Sequence, residues 1–566
     1  MVPVDFDLGL VGRLTMLNSP TIRALRSKRW PIDNERTEER GGIGAGSSVV
    51  ELTPTPGNMR RRCRSGMLLL AIAVAVAASP MPSPFPVDAN TPDLSSYTID
   101  VDFEPASRLL AGELVLDWRN NTGQVQDSLY FRLYPNAPHY GDGSTGVSEV
   151  TVDGQAVESR IRADRTVLEL AIGDEVRPGH RAEIAMTFET VVPSTSDASF
   201  GILGGDPGAG WQLADWFPIL AGWEDDEGWY LDPPTRFGDP TYADSATFDL
   251  EFTAPDDYEV LGSGATVEET VNLVTDQMTT IIEASPGRDL TLSLLFDDEA
   301  GSIETTELTI AGFTVRVSLP RDEALPGLGA AMLMIAAETL PLYETWFGEH
   351  HDRELDIVAA SLSGASGVSW HGIVWLDVDA IARDGQLSDR TLDTLRFVLG
   401  HELAHQWIAG IVGSNNNDHG FMTEGLANIV TVLAIREAHG VEVADRVLRT
   451  WVAGGYLAML ESGIDGVADA PITDESDIVT RSQLIYGKGA LGFEAIRQAI
   501  GNDAFFAGLA AYATEYRFQI SNPNDLLNAF EDAGGVDLDD LWSFWFEEQG
   551  ATPADVEAIL AGFPIH

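Results

Sequence analysis

From Tyr97 to about residue 318, hydrophobic and polar residues alternate with a period of two. Tyr97, Ile99, Val101 and Phe103 interleave with Thr98, Asp100 and Asp102. Leu114, Leu116 and Trp118 repeat the pattern, as do Ile184, Met186 and Phe188, then Phe248, Leu250 and Phe252. Successive side chains on a strand point to opposite faces, so this period predicts strands with one buried face. Asp153-Gly154 after Val150-Thr151-Val152 predicts a hairpin, because that turn needs residues that tolerate positive φ. The period assigns residues 94–318 to an all-β domain.

From about Pro320 the spacing becomes helical. Residues 333–346 form an amphipathic stretch, and 355–358 read as a short strand. Leu392, Leu395, Leu399 and Leu403 recur at roughly helical spacing behind Ser388, a ready N-cap. Residues 422–437 carry Leu426, Ile429, Val430 and Leu433 on one apolar face, and three more amphipathic stretches occupy 505–516, 526–533 and 538–548. The expected fold class is α+β and multidomain, with the β domain followed by a mainly helical domain over 319–566. At 566 residues the chain can bury several cores.

Ahead of the β domain, residues 1–58 show no apolar periodicity and read as an unstructured leader or a mis-assigned start. Arg60, Arg61, Arg62 and Arg64 then precede an uncharged apolar run over 67–78, with small residues at Ala75 and Ala77. That order predicts an export signal peptide over 59–79, with Met59 as the expected start. Twelve apolar residues fall short of a membrane span, so no stable span is expected. A linker over 80–93 holds Pro80, Pro82, Pro84, Pro86 and Pro92. The one cysteine, Cys63, lies inside the signal, so the mature protein is expected to be cysteine-free. Export without disulfides suits a bacterial or archaeal secreted or extracytoplasmic protein.

Charge narrows the partners. Eighty-eight acidic residues against 34 basic ones give a formal charge of −54, which excludes nucleic acid and anionic membrane surfaces as natural partners. Only Lys28 and Lys488 are lysine. Coding bias towards arginine explains the missing lysine but not the carboxylate excess; adaptation to high salt explains both.

The candidate chemistry is His401-Glu402-Leu403-Ala404-His405. On a helix His401 and His405 lie one turn apart on the same face and can grip one metal ion, while Glu402 projects about 100° away. Zinc in a hydrolase usually takes three protein ligands and leaves the fourth position to water. Glu424, in the first turn of the next predicted helix, is the expected third. The bland alternative is a chance match on a buried helix whose histidines serve packing. Trp211, Trp216, Trp223 and Trp229 read as core and interface before cleft lining. His350-His351 reads as a loop pair before a second metal site. No P-loop, dinucleotide fingerprint, Gly-x-Ser-x-Gly elbow or internal repeat is present.

His-Glu-x-x-His, eighteen residues, then Glu, with Gln406-Trp407 and Gly425 beside the ligands, resembles the aminopeptidase N and leukotriene hydrolase family of gluzincin zinc metallopeptidases. The resemblance implies a saddle-like N-terminal β domain and a thermolysin-like catalytic domain. It implies one zinc per chain held by His401, His405 and Glu424, with Glu402 as general base. Tyr486-Gly487-Lys488-Gly489-Ala490 is similar to the family's Tyr-x-Lys-Gly-Ala, whose tyrosine faces the oxyanion. Leu133-Tyr134-Pro135-Asn136 and Trp216-Phe217-Pro218 match within the β domain. Longer members append two further domains, so a short two-domain member is expected here. The family's Gly-Ala-Met-Glu-Asn segment, whose Glu holds a substrate's α-amine, corresponds to Ser363–Ile373, which has no carboxylate. Gly367, Val368 and Ser369 are therefore the expected substrate-binding residues, with Ser369 in the Glu position.

The implied function is hydrolysis of peptide substrates, aminopeptidase-like but with a relaxed need for a free amino terminus. Two other classes stay open: a different hydrolase on the same metal, and a non-enzymatic exported peptide-binding or scaffold protein that keeps zinc. Oligomeric state is not legible. Mutual repulsion among so many carboxylates weakens with screening. The melting temperature should therefore rise from dilute buffer to molar salt, and a calorimetric scan that stays flat would remove the salt-adaptation reading.

Overall fold

The computed structural model describes residues 2–3, 93–194, 199–224, 227–237, 241–297, 301–321, 325–383, 385–473 and 476–564. The expected signal peptide and the linker up to residue 92 lie outside the described residues, as does the leader apart from Val2–Pro3.

The predicted alternation produces the β domain. Tyr97, Ile99, Val101 and Phe103 are all buried, and so are the matching residues near 116, 186 and 250. Ser95–Glu104 pairs antiparallel with Leu109–Arg119 and parallel with Ala246–Pro255. These sit inside an eight-stranded sheet that runs from Ala265–Asn272 at one edge to Gln155–Ala156 at the other. Two four-stranded sheets contribute to the same core. Tyr97 stacks on its cross-strand neighbour Phe248 at 5.0 Å, and Phe103 meets Trp211 of a four-stranded sheet edge-on at 5.2 Å, joining two layers. The Asp153-Gly154 hairpin forms as expected, with φ of 48° and 71° and Val152 opposite Gln155.

One boundary differs from the sequence reading. Ile303–Ile310 and Phe313–Pro320 keep the period of two, and a cut between 318 and 319 leaves them with the β domain. They pair instead with the catalytic sheet, Phe313–Pro320 lying parallel to Glu354–Ala359. A period of two specifies a strand but not its neighbour, and the cut falls inside a strand. The six-stranded sheet continues through Ile373–Leu376 to Ala365–Trp370, on whose outer side the short strand Val2–Pro3 pairs antiparallel.

Against this sheet pack Leu328–Phe347 and Asp389–Ala404, and Glu424–His439, Gly489–Ile500 and the later helices pack on them, sharing one large apolar core. A third apolar cluster joins the domains. It sets Ala214, Leu261 and Leu295 from the β domain against Val358, Val368, Trp370 and Trp375. The 365–370 strand is therefore held from behind by both domains. Among the described residues no helix is long and apolar enough to cross a membrane.

Candidate metal centre and the cleft around it

Two helices cross to make the site. Ser388 caps the first, its Oγ accepting the Thr391 N–H at 3.2 Å, a cap typically worth about 1 kcal/mol. Gly400, one residue before His401, lets the second helix come close: a Cβ there would lie 2.8 Å from Thr431 Cγ2. The Tyr343 hydroxyl seals the crossing, donating to Gly400 O at 2.9 Å with Thr431 Oγ1 at 3.1 Å.

The crossing brings three donors together. His401 Nε2 lies 3.0 Å from His405 Nε2 and 3.1 Å from Glu424 Oε2, and the third pair is 3.5 Å apart. A tetrahedral ion with bonds of about 2.0–2.1 Å would set its donors roughly 3.3 Å apart. Two imidazoles and a carboxylate at this spacing fit zinc. Burial holds the His401 imidazole down to about 3, so it stays neutral with a lone pair available. Burial pushes the Glu424 carboxyl up, but nearby positive charge, His405 included, and hydrogen bonds to both imidazoles outweigh this, holding it well below the usual range. His405 Nδ1 donates to Ile408 O at 3.2 Å, which leaves Nε2 as the ligating atom.

Glu402 stands outside this donor set and is fully buried, its carboxyl pushed up by burial. Its carboxyl packs against the backbone of the neighbouring strand. A Cβ on Gly367 would lie 2.6 Å from Glu402 Oε1, so the absent side chain at 367 makes room for it. Tyr486 approaches from the opposite helix, in the π-helical turn Gln483–Lys488, with its ring 6.2 Å from that of His401. Its hydroxyl hydrogen-bonds Glu424; burial, then the Glu424 and Glu402 charges, raise it well above its ordinary value. It stays protonated and can donate. Gly425 allows this approach, since a Cβ there would sit 3.0–3.1 Å from the backbone of Gly489 and Ala490. Lys488 anchors the turn, donating to Gly466 O at 2.6 Å and Glu548 O at 2.7 Å beside Asp465.

The cleft above the donors runs between the domains. Tyr242, Arg288 and Asp289 line it from the β domain, with Val368, Ser369 and His371 opposite and His405 and Glu424 at its floor.

Residues 332–545 match the Peptidase family M1 domain, a span that contains the three metal donors, Glu402 and Tyr486. Over that span the chain is similar to the family M1 peptidase domain. Among curated relatives, aminopeptidase N of Lactococcus lactis subsp. lactis is 24% identical over 235 residues, covering 40% of this chain and 27% of that protein. Aminopeptidase M1-B of Oryza sativa subsp. japonica is 28% identical over 337 residues, covering 57% and 36%. The chain thus spans about a third of the length of the curated relatives it matches. Among solved structures, an M1 zinc metallopeptidase from Deinococcus radiodurans shares the fold, with TM-score 0.58, 18% identity, and coverage of 81% of this chain and 94% of that one. A two-domain M1 zinc metallopeptidase mutant bound to L-tryptophan gives 0.57, 19%, 81% and 95%.

Within the matched span Gln406 ties the end of the 389–404 helix to the 365–370 strand. Its Nε2 donates to Ser369 Oγ and Trp370 O, both at 2.8 Å, and its Oε1 accepts from Gly372 N at 3.0 Å. Ser369 thus lines the cleft with its hydroxyl engaged by Gln406. Val368 also lines the cleft, whereas Gly367 serves through its contact with Glu402. None of the four tryptophans is in the lining. Trp211 and Trp216 are in the β core, and Trp223 meets Trp229 edge-on at 5.4 Å. Glu224 reaches the catalytic domain, but onto Asn415 Nδ2 at 2.7 Å rather than into the cleft lining.

His350 and His351 bind backbone, through Gln406 O at 3.1 Å and Pro286 O at 2.9 Å. Asp352 and His371 stand beside them. Burial opposes charge on His371, yet Asp352 outweighs it and raises the imidazole above its ordinary value. The His371 ring and the Asp352 carboxylate are in direct contact as an ion pair.

Sequence reasoning missed Arg288 and Asp289, which reach the cleft from a β-domain loop about 113 to 136 residues before the ligands. No local pattern marks them. Two outcomes check the site. Elemental analysis should find one zinc per purified chain, lost in His401→Ala, His405→Ala and Glu424→Ala. Gly367→Ala should keep that zinc yet lower turnover, because the new methyl must displace the Glu402 carboxyl.

Proposed function

We propose that this chain is an exported zinc-dependent metallopeptidase that hydrolyses peptide bonds, aminopeptidase-like with a relaxed need for a free amino terminus. The observation that carries the hydrolytic reading is the pairing of a three-donor metal set with Glu402 and Tyr486. A structural zinc closes its fourth position with another ligand and uses neither a buried carboxyl outside the donor set nor a phenol.

Zinc bound by these donors supplies Lewis acidity, polarising a carbonyl and lowering the pKa of water towards about 7. Glu402 takes a proton from the attacking water and later delivers it to the departing amine. The Tyr486 hydroxyl donates to the oxyanion, an interaction typically worth about 2.7–4 kcal/mol. An extended substrate has a place to lie, because the outer edge of Ala365–Trp370 accepts an antiparallel segment, as it does Val2–Pro3. That register brings a backbone opposite Gly367, directly over Glu402.

The relaxed amine requirement rests on charge. Segment 361–376 holds no Asp or Glu, and the Ser369 hydroxyl already accepts from Gln406. Asp289 and Glu424 are the carboxylates of the cleft lining. Glu424 serves the metal, and Asp289 lies in the field of Arg288, whose positive charge partly offsets it. An ammonium entering here finds Asp289 already facing an arginine. The export reading rests on the basic-then-apolar run over 59–79.

Glu402→Gln should retain zinc and lose about 10²–10⁴-fold in turnover, since it removes a base and no ligand. Tyr486→Phe should lower kcat by about 10²–10³-fold with little change in KM; an unchanged kcat would return Tyr486 to a packing role. N-terminally blocked peptides should be cleaved at rates approaching those of free ones, with Ser369→Glu shifting preference to free amines. Wild-type cleavage confined to unblocked peptides would make this a strict aminopeptidase. Mass spectrometry of secreted material should place the mature N-terminus near Ala78, and protein retaining residues 59–77 would refute export through this signal.

A further inference from the structure

We infer that Arg288, a β-domain residue, is a positioning residue for the metal ligand His405; this rests on the zinc reading above. Its guanidinium spends its donors on backbone carbonyls. Nη1 donates to Ala243 O at 3.0 Å within its own domain. Across the interface Nε donates to Ala409 O at 3.0 Å, and Nη2 to Gln519 O at 2.7 Å and Ile411 O at 3.4 Å. Four of the five N–H donors are thereby committed. Arg288 lines the cleft, yet it has too little hydrogen-bonding capacity left to clamp a substrate carboxylate bidentately.

The carbonyls it holds belong to the turn that fixes His405. Ile408 O accepts His405 Nδ1–H, and Gly410 N–H donates back to His405 O at 3.0 Å. Ala409 lies between them and is left-handed, with φ of 79°, a conformation that a Cβ disfavours. A strained residue persists only where its surroundings over-determine it. Here the restraints are the Ala409 N–H to Val412 O bond at 2.9 Å and the Arg288 bond to Ala409 O. Gly413 completes the seat, because a Cβ there would lie 2.3 Å from the Arg288 guanidinium carbon. Releasing Ala409 O lets the strained turn relax, and Ile408 O then drifts from the imidazole it orients.

The test is the rate at which the zinc-loaded full chain gives up its metal to a chromogenic chelator, with the visible spectrum of the cobalt-substituted protein as a second readout. Arg288→Met keeps the side chain's bulk and removes every donor. It should release zinc about 10–100-fold faster, the range typical for loss of an outer-shell partner, and should shift the cobalt bands. Adding Ala409→Gly should restore slow release, since glycine adopts this φ without strain; Ala409→Gly alone should change little. If Arg288→Met does not fold, Arg288→Lys, which replaces the fork with one point donor, should still quicken release. The inference is overturned if the folded variants release zinc at the wild-type rate with an unchanged cobalt spectrum, whatever their melting temperature. A wild type that takes up no zinc would overturn the metal reading and this inference together, and would be seen before any variant is made.

Discussion

The close crossing of two helices at Gly400 and Thr431 is the contact on which the site depends. A glycine at 400 lets the 389–404 helix approach the 424–439 helix within the reach of a threonine methyl. That spacing brings Glu424 to within about a hydrogen bond's length of two imidazoles on the other helix. Gly425 repeats the device on the next contact, drawing the turn that carries Tyr486 towards the same carboxylate. Removing a Cβ costs helix stability, roughly 0.5–1 kcal/mol relative to alanine. Two such glycines persist beside the metal donors because a side chain at either would push a donor or the phenol out of range.

The second constraint is the strand that runs beside these helices. Ala365–Trp370 is fixed from behind by the apolar cluster between the domains, from the front by Glu402 against Gly367, and along its end by the Gln406 amide. A strand edge held rigidly next to the Glu402 carboxyl can orient an extended backbone laid along it without further machinery. The β domain contributes to chemistry in the same indirect way. Its loops close the cleft and hold the backbone beyond the second histidine, and they add one carboxylate, Asp289, beside Arg288.

Local order was legible in the sequence because it depends on residues a few positions apart. The period of two placed the buried faces of the β strands, Asp153-Gly154 placed a turn, and Ser388 placed a helix start. The four-residue spacing of His401 and His405 fixed their common face before any fold was known. Its place in the first turn of the next predicted helix marked Glu424, 23 residues beyond His401, whereas resemblance alone supplied Tyr486, 85 residues beyond it. Without that resemblance Tyr486 does not stand out from an ordinary helix.

The tertiary structure decided whatever depends on which distant segments meet. The 303–320 hairpin joins the catalytic sheet by pairing with residues 354–359, a choice its alternation does not encode. Ser369 reads as a free hydroxyl until Gln406, 37 residues on, is seen to bond it. Gly367 reads as a flexible position until the Glu402 carboxyl fills the space its side chain would take. Arg288 gives no signal in the chain, since its partners Ala409, Ile411 and Gln519 are 121 to 231 residues away. Periodicity reports which side of an element is buried. The identity of what it is buried against comes only from long-range packing, where each contact depends on all the others being made.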